Sequence, residues 1–135
     1  MPRRDAPSVR VKRAYEPPAR DDGARILVDR LWPRGVKKED LELDEWAKDV
    51  APTPALRTWY GHRPERFDEF RRRYLDELTS GEAREAFEEL RRRARTEALT
   101  LLTATRDVER SGAAVLAEAL LTPEDRSRRG RERAR

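Results

Sequence analysis

Two continuous apolar runs interrupt an otherwise heavily charged text. The first, Ile26, Leu27 and Val28, is a run of strand formers without polar alternation, which predicts a central strand covered on both faces. The second, Ala98 to Thr103 (ALTLLT), predicts another buried strand of the same kind. Val9 and Val11 instead alternate with Arg10 and Lys12, the period of a half-exposed strand that Tyr15 would continue and Pro17 and Pro18 would stop. Ala19 to Ala24 (ARDDGA) then reads as a turn carrying an edge strand into the middle of a sheet, with parallel and antiparallel pairing left open.

Helical period takes over between the two apolar runs. Residues 36–52 are mixed: Leu41 and Leu43 have strand spacing, whereas Leu43, Trp46 and Val50 have helix spacing. The expectation there is mostly irregular chain with a short helical turn near Lys38 to Leu41. Thr53, between Pro52 and Pro54, has the N-cap and first-position signature of a helix running through Leu56, Trp59 and Tyr60 to Gly61. Pro64 opens the next, with Phe67, Phe70, Tyr74, Leu75 and Leu78 on one face. Thr79 and Glu82 have capping-box spacing for a third, which turns Ala83, Ala86, Phe87, Leu90 and Ala94 inward. Arg71–Arg73 and Arg91–Arg93 each have acidic residues within helical reach, so both triplets are expected on an ion-paired, solvated surface. Ser111 caps a last helix through Leu116, Ala117, Leu120 and Leu121, ended by Pro123.

Buried strands separated by helices predict an α/β fold: a single small domain with a short central sheet, mostly parallel and covered by helices. Residues 1–8 read as a flexible basic N-terminus, 9–121 as the domain, and 122–135 as a disordered basic tail without apolar periodicity.

Composition narrows the functional classes. Of 135 residues, 43% are charged and 36% hydrophobic, a balance that would suit a partly disordered chain were the apolar positions not periodic. The absence of cysteine excludes disulfides, thiolate zinc sites and Cys nucleophiles, and a single histidine excludes a multi-His metal site. No apolar run approaches the roughly 20 residues that span a bilayer. The N-terminus lacks the hydrophobic segment of a signal peptide, so a cytoplasmic location without membrane contact is expected. Residues 1–13 carry net +4 and residues 122–135 net +3, which against +4 for the whole chain leaves residues 14–121 at −3. The body is therefore mildly acidic and the basic excess sits in the ends.

Candidate chemistry concentrates in Arg25 to Gly35, RILVDRLWPRG. A buried strand that runs straight into Asp29, Arg30, Trp32 and Arg34 delivers them to its carboxyl end, where open α/β sheets hold their ligands. Arg30 and Arg34 flank a rigid Trp-Pro pair, and the guanidinium fork grips carboxylate or phosphate bidentately. The competing reading is structural: Asp29 and Arg30 as an ion pair, Trp32 as core, and Pro33 to Gly35 as an ordinary turn. Trp46 and Trp59 divide in the same way between a stacking surface and core mass.

With RILVDRLWPRG, LDEWAKDVAPTPALRTWYGH, FRRRYLDEL and LTLLTATRD in that order, the chain resembles the YeaO-like branch of the bacterial domain-of-unknown-function family 488, DUF488, over about residues 9–121. LVDRLWPRG is the most specific of these strings. The resemblance implies an α/β fold and no particular function. Broader members of the family carry a cysteine directly after the last strand and a Cys-His-Arg triplet at the following helix. Thr103 and the neighbourhood of Ser111 and Gly112 stand there in this chain. Closer relatives tend to Asn or His, so this chain departs from them as well, and no thiol or metal chemistry carries over. Arg30, Trp32, Arg34, Trp46, Lys48, Arg57 and His62 do match the nearer pattern.

These residues define the expectation of a pocket for a small anion bearing phosphate or carboxylate, with no metal and no cofactor. Arg30 and Arg34 would clamp it, Trp32 would form a wall, and Lys48, Thr53 and Arg57 would make secondary contacts. His62 and Asp29, with Asp44 as an alternative acid, are the candidates for any proton transfer, although His62 also suits an exposed or capping turn. The alternative from another class is a nucleic-acid-binding or protein-interaction module using the basic ends and the Arg/Trp cluster.

Overall fold

The computed structural model describes residues 8–122. Four strands, β1 (Val9–Arg13), β2 (Ala24–Leu27), β3 (Glu45–Trp46) and β4 (Leu99–Thr103), form one parallel sheet in the order β1-β4-β2-β3. Five helices accompany it: α1 (Lys38–Leu41), α2 (Pro54–Tyr60), α3 (Phe67–Glu77), α4 (Gly81–Ala94) and α5 (Gly112–Leu121). The protein is thus a small α/β domain with a parallel sheet. All but one residue each of the expected N-terminal segment and C-terminal tail lie outside the described residues.

The two apolar runs occupy β2 and β4 because these strands have neighbours on both edges and cover on both faces. Ile26, Leu27, Leu99, Leu101 and Leu102 are all fully buried. Period-two alternation sends Ile26, Val28, Leu99 and Leu101 to the larger core, against Leu56, Tyr60, Phe70, Tyr74, Leu90 and Leu116 from α2 to α5. Leu27 and Leu102 face the other way, into a smaller core with Ala14 and Leu41, flanked by Trp32, Val36, Leu43 and Trp46. Cover on that second face comes from α1 and irregular chain.

The second face also holds a buried ionic cluster. Arg25 reaches Asp22 at 2.5 Å and the carbonyl of Leu41 at 2.7 Å, Lys12 reaches Asp22 at 3.0 Å, and the Thr100 hydroxyl donates to the Asp22 carbonyl at 2.6 Å. Such charges are tolerated in a core only when each is paired and hydrogen-bonded.

Several local expectations need correcting. β1 ends at Arg13 and Tyr15 is exposed: the Ala14 N–H makes the last ladder bond to the Thr103 carbonyl (2.8 Å), and the chain then turns, the Glu16 N–H donating back to the Arg13 carbonyl at 3.0 Å. ARDDGA contains a short 3₁₀ turn, Arg20–Asp22, and a similar turn at Pro64–Arg66 leads into α3. Ser80, not Thr79, is the N-cap of α4; the Thr79 hydroxyl donates back to the Asp76 carbonyl at the end of α3 (2.7 Å), so its spacing to Glu82 is unused. The arginine triplets do carry ion pairs, among them Arg71 to Glu118 and Arg92 to Glu89, both at 2.5 Å. Arg10 and Lys12 of the basic N-terminal stretch pair with Asp21 and Asp22. Among the described residues no helix is long and apolar enough to cross a membrane.

Candidate functional site

The chain leaves β2 toward α1 on one face of the sheet and leaves β4 toward α5 on the other. Where two parallel neighbours diverge in this way, a crevice opens at their carboxyl ends. Here it is a cleft of about 310 Å³, bounded by the loop after β2, Pro52, the end of α2, the loop after β4 and the start of α5.

Asp29 holds the two loops together. Its carboxylate accepts from the Thr103 hydroxyl at 2.8 Å and from the Ala104 N–H at 2.7 Å, while its carbonyl accepts from Trp46 Nε1 at 2.8 Å. Burial pushes the carboxyl above its ordinary value, against the opposing pull of the Ala104 and Thr103 bonds and of the Arg57 and His62 charges. With both oxygens engaged, Asp29 is a clip between β2 and β4.

Four cationic or imidazole side chains line the same cleft. Arg30 donates to the carbonyls of Ala51 (3.0 Å) and Pro52 (3.3 Å), which fixes the segment before α2. Neither Arg34 nor Arg57 has a carboxylate partner for its guanidinium among the described residues, and both are exposed. Arg57 is carried by α2, whose N-cap Thr53 accepts from the Leu56 N–H at 3.2 Å. Helix α2 ends on Gly61 and His62, with φ of 53° and 58°. A left-handed residue without glycine's freedom is uncommon, and this one lines the cleft mouth.

The inner wall is built by close packing. Tyr60 stacks on Phe70 with ring centroids 4.2 Å apart and donates its hydroxyl to the Arg110 carbonyl at 2.7 Å, tying the loop after β4 to α2. Ser111 caps α5, accepting from the Ala114 N–H at 3.1 Å and donating to the Val108 carbonyl at 2.6 Å. A Cβ at Gly112 would lie 3.2 Å from Pro52 Cγ and 3.6 Å from Phe70 Cζ, so a side chain there would press on the wall. The first turn of α5, with its positive dipole end, borders the cleft.

Six residues singled out from sequence therefore share one cleft: Asp29, Arg30, Trp32, Arg34, Arg57 and His62. Trp32 is a wall set edge-on to Trp46, at 5.3 Å between centroids, with its N–H given to the Val36 carbonyl. Lys48 and Thr53 lie elsewhere. The Lys48 ammonium sits 4.4 Å from the Trp46 ring centroid beside a separate groove along α4, and the Thr53 hydroxyl donates to Glu77 at 2.7 Å. Trp59 lies beneath the guanidiniums of Arg66 and Arg73, so the three tryptophans do not form one surface. Asp44 accepts from the Arg25 N–H at 2.8 Å as part of the sheet edge. Among the described residues no three His, Cys, Asp or Glu side chains are grouped to hold a metal ion.

Tyr15, Leu31, Tyr60, Ser111 and Gly112 also line the cleft, without having been singled out for it. The signal for the last two was available: the rule that places ligands beyond β2 applies equally to β4, and Ser111 and Gly112 follow it.

The chain matches the family model DUF488-N3i, described as the inactive DUF488-N3 subclade, over residues 8–135. It is 53% identical over 112 residues to an uncharacterised protein of Mycobacterium tuberculosis, covering 83% of this chain and 92% of the relative. It is 42% identical over 113 residues to the uncharacterised protein YeaO of Escherichia coli, covering 84% of this chain and 96% of the relative. No solved structure matches it significantly.

Proposed function

The chain belongs to the DUF488 family, within the subclade described as inactive, and on that premise we propose that it binds a small phosphate- or carboxylate-bearing anion without turning it over. One observation carries the reading: Arg34 and Arg57 enter a shared cleft with no carboxylate partner among the described residues, and the cleft's own carboxylate, Asp29, already accepts two hydrogen bonds. Two guanidiniums lining one cleft without a carboxylate partner favour an anion between them. Each charge-assisted bond contributes about 1.5–3 kcal/mol. The first turn of α5 adds a favourable dipole from the opposite wall.

Turnover is not part of the proposal because the groups that would drive it are otherwise engaged. The Thr103 hydroxyl, at the end of β4, donates to Asp29 and also accepts from the Thr105 N–H at 3.2 Å. Both oxygens of Asp29 already accept a hydrogen bond, from the Thr103 hydroxyl and the Ala104 N–H, so its carboxylate serves to join the two loops.

Thermal-shift measurements on the wild type and Arg34→Ala, with inorganic phosphate, sugar phosphates, nucleotides and small carboxylates, test this reading. At least one anion raises the wild-type melting temperature more than that of the variant. If none does, the cleft is a structural feature and the proposal falls.

A further inference from the structure

Among the described residues three large hydrophobic side chains stand exposed: Tyr15 at 45%, Leu31 at 59% and Leu121 at 57%. Two of the three, Tyr15 and Leu31, line the mouth of the cationic cleft, although they come from different loops. A bare oxyanion held by the cleft's arginines gives neither of them anything to cover. Exposed apolar surface concentrated at one cleft is the mark of a contact surface.

Tyr15 is also held in place. Its hydroxyl donates to the Arg34 carbonyl at 3.0 Å, and the Arg13 guanidinium lies 4.8 Å from its ring centroid. The cation behind the ring, which does not depend on the hydroxyl, steadies it as a platform at low entropic cost. Trp32 does not serve in this way, since its ring is engaged with Trp46 and its N–H with Val36. The cleft volume of about 310 Å³ falls at the lower end of small-ligand sites, enough for an oxyanion joined to a compact body that reaches the rim.

We propose that the occupant of the cleft is an anion joined to a flat ring, an aryl or heterocyclic phosphate of nucleotide size, whose ring lies on Tyr15 with its edge against Leu31. The inference rests on the anion-binding reading and narrows it: the clamps hold the charge and the rim selects the ring. Stacking of a base on an aromatic side chain is worth on the order of a tenfold change in affinity, and often more.

Titration calorimetry with inorganic phosphate, ribose 5-phosphate, phenyl phosphate and adenosine monophosphate separates the two layers. Wild-type protein binds the two ring-bearing anions roughly tenfold or more tighter than the two without an aromatic ring. Tyr15→Ala brings that ratio toward one, Leu31→Ala reduces it, and Tyr15→Phe, which keeps the ring and loses the bond to Arg34, preserves it. Equal affinity for all four probes overturns the ring assignment and leaves the anion reading standing. A ratio lost equally in Tyr15→Phe and Tyr15→Ala also overturns it, because the hydroxyl latch would then be the active element. No binding of any probe removes both readings.

Discussion

Replacing Asp22 by Asn keeps the shape of the buried ionic cluster under β1 and β2 and removes its negative charge. The Asp22 carboxylate receives Lys12 at 3.0 and 3.1 Å, Arg25 at 2.5 Å and the Ala19 N–H at 3.0 Å. Burial on its own raises a carboxyl group's pKa, but the Ala19 bond and the two cations outweigh it and hold Asp22 at about 2, below the ordinary 3.8. A difference of that size corresponds to about 2 kcal/mol of stability. Because the folded-state value is the lower one, this stability is complete above the unfolded value and is lost as the pH falls from about 5 through about 2. At neutral pH Asp22→Asn forfeits it and also leaves Arg25 and Lys12 facing an amide, for a total of about 3–5 kcal/mol. Urea denaturation of both proteins at pH 7 and pH 2 measures the effect, since all other carboxylates titrate alike in the two. The stability gap is expected to narrow by about 2 kcal/mol at the lower pH. A gap that stays constant refutes the coupling of Asp22 to its cations.

Two backbone positions give further expectations. Gly23 has φ 68°, and a Cβ there would lie 2.4 Å from the Ala98 carbonyl oxygen, so Gly23→Ala is expected to cost about 2–4 kcal/mol in chemical denaturation. A loss below about 1 kcal/mol would show that the β2 entry adjusts freely. His62→Gly relieves a left-handed residue at φ 58°, and is expected to leave stability unchanged or raise it by up to about 1 kcal/mol while weakening phosphate binding. A clear loss of stability would mark the imidazole as a structural contact.

How much of this was legible in the sequence depended on how local each determinant is. Ile26 to Val28 and Ala98 to Thr103 announce buried strands by composition alone, and the helical turn at Lys38–Leu41 and the caps at Thr53 and Ser111 follow from adjacent residues. The neighbour of β1 did not follow: Val9 pairs with Leu99, a contact set by packing across most of the chain. β3, two residues long, has no period to read and exists because Ile26 and Leu27 offer it a free edge. At Thr79 and Ser80 two hydroxyl residues compete to start α4, and the end of α3 takes the first. The same logic governs the site. Arg30 and Arg34 reach the cleft because they follow β2, whereas Lys48 is turned away by the 3₁₀ turn Lys48–Val50 and Thr53 is consumed by Glu77. The contribution of Tyr15 depends on which strand β1 joins, and so was out of reach before the topology was known.

The central claim is that an anion enters the cleft between the β2 and β4 loops, and its most direct test is a phosphate titration of ¹⁵N-labelled protein followed by amide chemical shifts. Saturable shifts are predicted for the amides of Arg30, Leu31, Arg34, Ala104 and Gly112, which border the cleft from both loops and from α5. Shifts confined to the ion-paired arginine faces of α3 and α4, or rising linearly without saturation, would contradict it.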